Sequence, residues 1–390
     1  MYNFGFINGL NDQELPYSNN VDGVSYSFEF LFRNKTVNYK IETPGFFIEQ
    51  DEPFIYILDF KHGRSFNESY IPEEVLEYVK AKKCKICIML FSEPFSTEYR
   101  QDVNNLATQY GLDRESLVFS TGDLTAKNLE QDLFEFLPFN YFLSTPWFTH
   151  KIEHTPFQIQ PSKLRIKFLS LNRVPRRQRY IFLYELLHRP HLFFSTLLSF
   201  GDKANEEVLD RKKNQMYNAI HVDEILKNNI KSKQIEIFFK DRVFGIDIDT
   251  QDKSINLAQE FDLSFYQKTF CSVVSESSVE QGKLFFSEKT SKPLFAKQPF
   301  LMVGNPYSLQ KLHELGFKTF NEFWDESYDL EESFEKRLEK ILDVMEEINK
   351  KTLAELQQML LDMEGILEHN HRVFLGLDYT LDFLEKIKIK

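Results

Sequence analysis

Apolar and polar positions fall into short alternating blocks along most of this chain. Phe54–Phe60 (FIYILDF), Lys85–Phe91 (KICIMLF) and Ser116–Ser120 (SLVFS) are apolar runs of strand length. Between them, Pro72–Ala81 has the spacing of an amphipathic helix opened by its proline, and Thr97–Tyr110 reads as a polar helix stopped by Gly111. A second series begins at Arg165–Leu171 (RIKFLSL), passes Asn172-Arg173 into a helix starting near Pro175, and returns to apolar runs at Cys271–Val274 and Phe300–Val303. Gly304-Asn305-Pro306 then signals a turn. Ser287 is placed to N-cap one helix, and Tyr307–Leu315 forms another with Gly316 as its C-cap glycine. Strands alternating with helices predict parallel sheets with helices on their faces.

The alternation is interrupted once. Residues 137–162 carry Pro138, Pro146, Pro156 and Pro161 among several aromatics, and read as an interdomain linker. Trp147, Phe148 and His150 there either line a cleft or simply pack. The expected fold class is therefore α/β, with two Rossmann-like domains facing a cleft and a C-terminal helical extension. The first domain covers residues 1–150, the second 151–330 and the helices 331–390. In the extension, Leu338, Ile341, Leu342, Val344, Met345 and Ile348 form an apolar helical stripe, and His369-Asn370-His371 reads as a polar break before a last helix. These helices could brace the first domain or pair two copies as a homodimer. Val24–Phe32, Gln234–Phe239 and Phe244–Ile248 are strand-like, and residues 201–233 read as a solvated helical stretch with the charged run Asp210–Lys213.

Composition narrows the class. A chain of 390 residues with 42% hydrophobic and 27% charged residues can bury two cores and stay soluble. No apolar run approaches the roughly 18 residues of a membrane span, so no membrane span is expected. No basic segment followed by a long apolar one opens the chain, which predicts an intracellular protein, cytoplasmic or, for a viral source, in the host cytoplasm. Three cysteines exclude a disulfide framework. Cys84 and Cys87 form a lone C-x-x-C, but residues three apart on a strand face opposite ways, which argues against a shared metal or a disulfide. The net charge of −12 is uneven: residues 1–150 hold 12 Lys/Arg against 22 Asp/Glu, whereas residues 151–230 hold 14 against 8. The positive middle fits an anionic ligand.

Doubly wound domains bind ligands at the carboxyl ends of their strands. Ser275-Glu276-Ser277 and Ser287-Glu288-Lys289 fall where such ends should lie. Glu276 can accept hydrogen bonds from sugar or ribose hydroxyls. Ser287 and Lys289, at a helix start, suit a phosphate. Arg173 and Arg176, just past a strand end, are further phosphate candidates; Lys292 is weaker, and Arg177 and Arg179 read as a wet helix face. Asp247-Ile248-Asp249 is a D-x-D of the kind that holds a divalent metal elsewhere, here alternating along a strand. The plain alternative for these clusters is a capped surface helix with solvated charges.

SES followed by SEKTSKPLFAKQPFLMVG resembles the donor-site region of fucosyltransferase-like glycosyltransferases. That family has a Glu-containing loop, then a SEK or TEK helix start, then a Pro-hydrophobic-Gly strand end. Leu171-Asn172-Arg173-Val174-Pro175-Arg176 with Arg179, paired with Ser287 through Asp329, is also similar to glycosyltransferase-like proteins of phages and marine bacteria. The resemblance spans about residues 164–330, and Gln298 departs from it where a small residue is usual. It implies a GT-B-like glycosyltransferase taking a nucleotide-sugar donor as substrate, with no separate cofactor; the basic cluster can neutralise the phosphates, so no metal is expected. On that reading Asn172, Arg173, Arg176, Lys289 and Lys292 lie on the donor side, with Glu276 and Glu288 on donor hydroxyls. A catalytic base is expected from the first domain: Glu93 or Asp123 at strand ends, with His62 and His150 less specific. The acidic first domain favours a carbohydrate acceptor over a hydroxymethylated base in DNA. A non-catalytic scaffold and a metal-dependent D-x-D enzyme are the competing readings.

Overall fold

The computed structural model describes residues 1–6, 38–59, 71–90, 95–144, 158–172, 176–200, 262–377 and 379–389. Val24–Phe32, His62, Glu93, Trp147, Phe148, His150, Arg173 and the whole of residues 201–261, with Asp247 and Asp249, lie outside the described residues. The chain divides into two compact units.

The first unit comprises Met1–Thr145, Gly282–Phe286 and Leu377–Lys390. Its elements are β1 (Tyr2–Phe6), β2 (Tyr39–Glu42), α1 (Pro44–Glu49), β3 (Phe54–Asp59), α2 (Glu73–Lys80), β4 (Cys84–Leu90), α3 (Thr97–Tyr110), β5 (Leu117–Thr121), β6 (Glu135–Pro138) and α4 (Tyr141–Ser144). The six strands make one parallel sheet in the order β2-β1-β3-β4-β5-β6. Strand periodicity explains its core. Cys84, Ile86, Ile88 and Leu90 turn to the same side and pack with Val75, Val79, Val103 and Leu106 of the covering helices. Phe95, Phe119, Phe134 and Phe136 close that core edge to face, with Phe134 and Phe136 centred 4.9 Å apart. Each buried phenyl contributes about 1.5–3 kcal/mol. Cys84 and Cys87 are both buried, and burial pushes each thiol up to about 12.

β6 corrects the expected linker. Residues 135–138 form the last strand of the first sheet, with Phe136 and Leu137 buried. Pro138 is tolerated because it ends an edge strand, which needs no further ladder donor. Helix ends follow local chemistry: Ser96 Oγ accepts from Tyr99 N at the start of α3, and Gly111 ends it with φ +65°.

The second unit comprises Pro146–Gln281 and Ser287–Gly376. It contains β7 (Ile166–Asn172), α5 (Arg177–Leu187), α6 (Pro190–Phe194), β8 (Thr196–Phe200), α7 (Leu263–Lys268), β9 (Thr269–Ser275), α8 (Glu288–Phe295), β10 (Phe300–Val303), α9 (Ser308–Glu314), α10 (Phe334–Lys350), α11 (Leu353–Asp362) and α12 (Glu364–Gly376). α13 (Thr380–Ile387) returns to the first unit, where Phe383 packs on Phe139. The four strands form a separate parallel sheet, β10-β9-β7-β8. β8 was not foreseen; Pro190 follows the end of α5, and Thr196–Phe200 then runs as strand.

The stripe of α10 is buried as its spacing requires, from Leu338 to Ile348. The expected break at His369-Asn370-His371 is absent: all three lie within α12. Their polar atoms serve neighbouring helix ends. His369 Nε2 bonds Gly316 O at 2.8 Å, and His371 Nδ1 bonds Phe295 O at 2.8 Å. Asn370 exchanges two bonds with the main chain of Lys318. Carbonyls orphaned at the ends of α8 and α9 thus explain a polar triplet inside a helix. Among the described residues no helix is long and apolar enough to cross a membrane.

Candidate functional site

In the four-stranded sheet, β7 occupies an inner position with β8 on one side and β9 on the other. The chain leaves β7 through α5 toward β8, and leaves β9 through α8 toward β10. The loops after β7 and β9 therefore diverge, which creates a topological switch point at their carboxyl ends. The register pairs Phe168 with Cys271 and Leu169 with Ser272, so its continuation sets Asn172 opposite Ser275.

The loop after β9 is gripped through its carbonyls. Arg179 Nη2 donates to Ser275 O at 3.0 Å, Gln178 Nε2 to Glu276 O at 2.8 Å, and Arg176 Nη1 to Ser277 O at 3.2 Å. Farther along, Arg337 Nη2 donates to Val279 O at 2.8 Å and Asn305 Nδ2 to Glu280 O at 2.8 Å. Arg179 is 1% exposed, which corrects the expectation of a wet face there. A guanidinium with several N–H groups can be buried when carbonyls receive them. Arg177 is half exposed, pairs with Glu335 at 3.2 Å and lies over the Phe334 ring.

Glu276 ties the strand end to the next helix. It is fully buried. Oε1 accepts from Ser287 N at 3.0 Å and Thr290 Oγ1 at 2.6 Å, and Oε2 accepts from Ser277 N at 3.1 Å. Both oxygens are engaged within the protein, at a helix N-terminus where negative charge is favourable. Ser287 caps α8 as its position predicts, its Oγ accepting from Lys289 N at 3.3 Å. Lys289 Nζ reaches Glu288 Oε1 at 2.6 Å and Ser287 Oγ at 3.3 Å. Burial pushes the Glu288 carboxyl up, but the ammonium groups of Lys289 and Lys292 outweigh it and hold the group at about 2. Glu288 is thus an anion at the start of α8, beside the cations of Lys289 and Lys292.

Asn172 closes β7 with Nδ2 on Ser170 Oγ at 2.9 Å. Asp329, inside the DESYD element, caps α9: its carboxylate accepts from Leu309 N at 2.8 Å and Gln310 N at 3.0 Å. The structure therefore gathers Asn172, Arg176, Glu276, Ser287, Glu288, Lys289 and Lys292 around the ends of β7 and β9. Ser275, from the cluster expected at that strand end, lies there too; Gln178, Arg179, Asn305 and Arg337 join them and were not assigned to the site from sequence. The apolar run Tyr180–Tyr184 that follows Gln178 and Arg179, which leaves this part of the helix no polar face, was the signal available for those two.

In the first unit, Asp123 follows β5 and is buried. Its Oδ1 accepts from Thr125 Oγ1 at 2.8 Å, Thr125 N at 2.9 Å and Leu284 N at 3.1 Å. Asp123 and Thr125 thereby hold the segment Gly282–Phe286, with Thr125 Oγ1 donating to Gly282 O at 3.0 Å. Among the described residues no donor reaches Asp123 Oδ2. No group of three or more His, Cys, Asp or Glu among the described residues could hold a metal ion. No family model and no curated protein matches this sequence.

Proposed function

We propose that this chain is a GT-B-like glycosyltransferase that moves a sugar from a nucleotide-sugar donor to a hydroxyl of a carbohydrate acceptor, without a metal. The observation that supports it is the convergence at one switch point of an immobilised loop, Ser275–Ser277, and the N-termini of α5 and α8, carrying Arg176 and Lys289, with Lys292 farther along α8. Fixed cations and helix N-termini suit the leaving diphosphate, whose charge grows as the glycosidic bond breaks.

In the reaction the acceptor oxygen bonds the anomeric carbon while the bond from that carbon to the diphosphate oxygen breaks. The hydroxyl proton passes to a carboxylate, and the diphosphate leaves with the electron pair. Asp123 Oδ2 is one acceptor for that proton; Glu93 is the other. Arg173 belongs with the phosphate contacts in this reading. Glu276 acts as a positioning residue, because its carboxylate holds the loop and α8 together.

A thermal-shift screen of GDP-, UDP-, CMP- and dTDP-sugars, with and without EDTA, tests the proposal. One nucleotide class should stabilise the protein in both conditions, by about 2.7 kcal/mol at a hundredfold excess over Kd. A shift that vanishes with EDTA and returns with Mg²⁺ or Mn²⁺ would move the reading to the metal-dependent class and to Asp247 and Asp249. Transfer to hydroxymethylated duplex DNA, with salt-sensitive binding, would replace the carbohydrate acceptor. Absence of any shift and any hydrolysis would leave a scaffold.

A further inference from the structure

At the same switch point, two side chains carry polar atoms that no group among the described residues meets. Asn172 Oδ1 and Ser275 Oγ are both buried without a hydrogen-bond partner, and each residue is 2% exposed. They stand opposite each other when the β7–β9 register is continued, and paired residues of neighbouring parallel strands project to the same face about 4.8 Å apart. Other polar atoms of the same two residues are engaged. Asn172 N donates to Ser199 Oγ at 3.3 Å, Asn172 Nδ2 donates to Ser170 Oγ at 2.9 Å, and Ser275 O receives Arg179.

A buried polar atom without a partner costs about 1–3 kcal/mol. Two of them side by side, at the place where parallel sheets bind ligands, point to a partner supplied from outside the chain. We propose that Asn172 Oδ1 and Ser275 Oγ together hold a sugar hydroxyl of the donor. The hydroxyl donates its proton to Oδ1 and accepts the Ser275 O–H. An amide oxygen only accepts, so an ionised phosphate, which has no proton to give, does not satisfy it; a hydroxyl satisfies both atoms at once. The inference rests on the glycosyltransferase reading and adds which part of the donor occupies the end of β7 and β9. It also transfers hydroxyl recognition from Glu276, whose oxygens are engaged, to these two atoms, and leaves the phosphates to Arg176 and Lys289.

Three variants test it: S275A, N172A and N172D, each measured for unliganded Tm and for binding of the nucleotide sugar that stabilises the parent, its free nucleoside diphosphate, and free glucose, mannose and fucose. Expected are weakening of the nucleotide sugar by about tenfold in S275A and in N172A, the loss of one hydrogen bond. N172D should bind within about threefold of the parent, since a carboxylate still accepts from a hydroxyl. Unliganded S275A should melt no lower than the parent, because it removes an unsatisfied group. Weakening confined to the nucleotide sugar assigns the hydroxyl to the transferred sugar; equal weakening of the free diphosphate assigns it to the ribose. Loss of binding in N172D as complete as in N172A would overturn the proposal by placing an anion there. A lower Tm in S275A with unchanged binding would overturn it in favour of a structural water. If the parent binds no nucleotide sugar, the transferase reading fails; a free-sugar shift that disappears in S275A then still upholds the hydroxyl site, and no such shift overturns it.

Discussion

Asp123 and Glu276 stand at comparable places, each just past the end of a strand in a separate parallel sheet, and each is buried. Each takes three donors. Glu276 spreads them over both oxygens, whereas Asp123 gathers all three on Oδ1. The Glu276 carboxylate is closed, with its hydrogen-bonding capacity spent on fold; among the described residues the Asp123 carboxylate is half open. A carboxylate after a strand is therefore not by itself a reacting group, and the occupancy of its second oxygen separates the two roles.

Breaking Glu276 should have the largest effect. Glu276→Ala leaves Ser277 N, Ser287 N and Thr290 Oγ1 without their acceptor, and should cost about 3–5 kcal/mol, the range for removing one partner of a buried charged network. Urea unfolding of the full chain measures it; a loss under about 1 kcal/mol would mean that water replaces the carboxylate freely. Asp123→Asn separates holding from chemistry. The amide oxygen can keep the Oδ1 bonds, so stability should fall by less than about 1 kcal/mol while turnover falls about 10²–10⁴-fold if Oδ2 takes the proton. Normal turnover would make Asp123 a second closed carboxylate and leave Glu93 as the base to mutate.

Lys289→Ala should lower turnover about 10²–10³-fold, the cost of one lost charge contact in the transition state. Preserved kcat with intact folding would show that the diphosphate lies elsewhere. Glu288 offers a pH test of the same region. Its folded-state pKa of about 2 lies below the ordinary 4.5, so its contribution is present above pH 4.5 and is lost as pH falls toward 2. The Tm difference between the parent and Glu288→Gln should therefore shrink over that interval; a constant difference would refute the pairing with Lys289 and Lys292. The smallest effects belong to Gly111 and Gly316, which follow helices in the first and second units with φ of +65° and +93°. Neither added Cβ meets a close neighbour, so Gly→Ala at either should cost only the left-handed strain, about 1–2 kcal/mol. Unequal costs would show that one loop can relax.

Six strands and the helices between them were legible because their signals are local. An apolar run bounded by turn residues marks β3, β4, β5, β7, β9 and β10, and Ser287, Gly111 and Gly316 act on backbone groups within a few residues. β1, β2, β6 and β8 were missed: β1 and β2 are short runs of four or five residues broken by polar positions or glycine, and β6 ends in Pro138 while β8 follows directly on α6 without a turn signal. The placement of Asn172, Glu276 and Lys289 near strand ends was readable; what their atoms touch was not.

The sequence by itself determined the α/β character, the two series of strands, the helix caps and the amphipathic stripe of α10, since each depends on periodicity or on contacts a few residues apart. Only the tertiary structure decided the rest. Strand order depends on pairings across long separations, so the β7–β9 switch point appears only once β8 and β9 are seen on opposite sides of β7. Arg179 spends a donor on Ser275 O, Asp329 caps α9 through Leu309 N, 20 residues earlier, and α13 returns to the first unit. None of these follows from residue type, because an arginine or a carboxylate satisfies its hydrogen bonds with whichever groups the folded chain brings within reach.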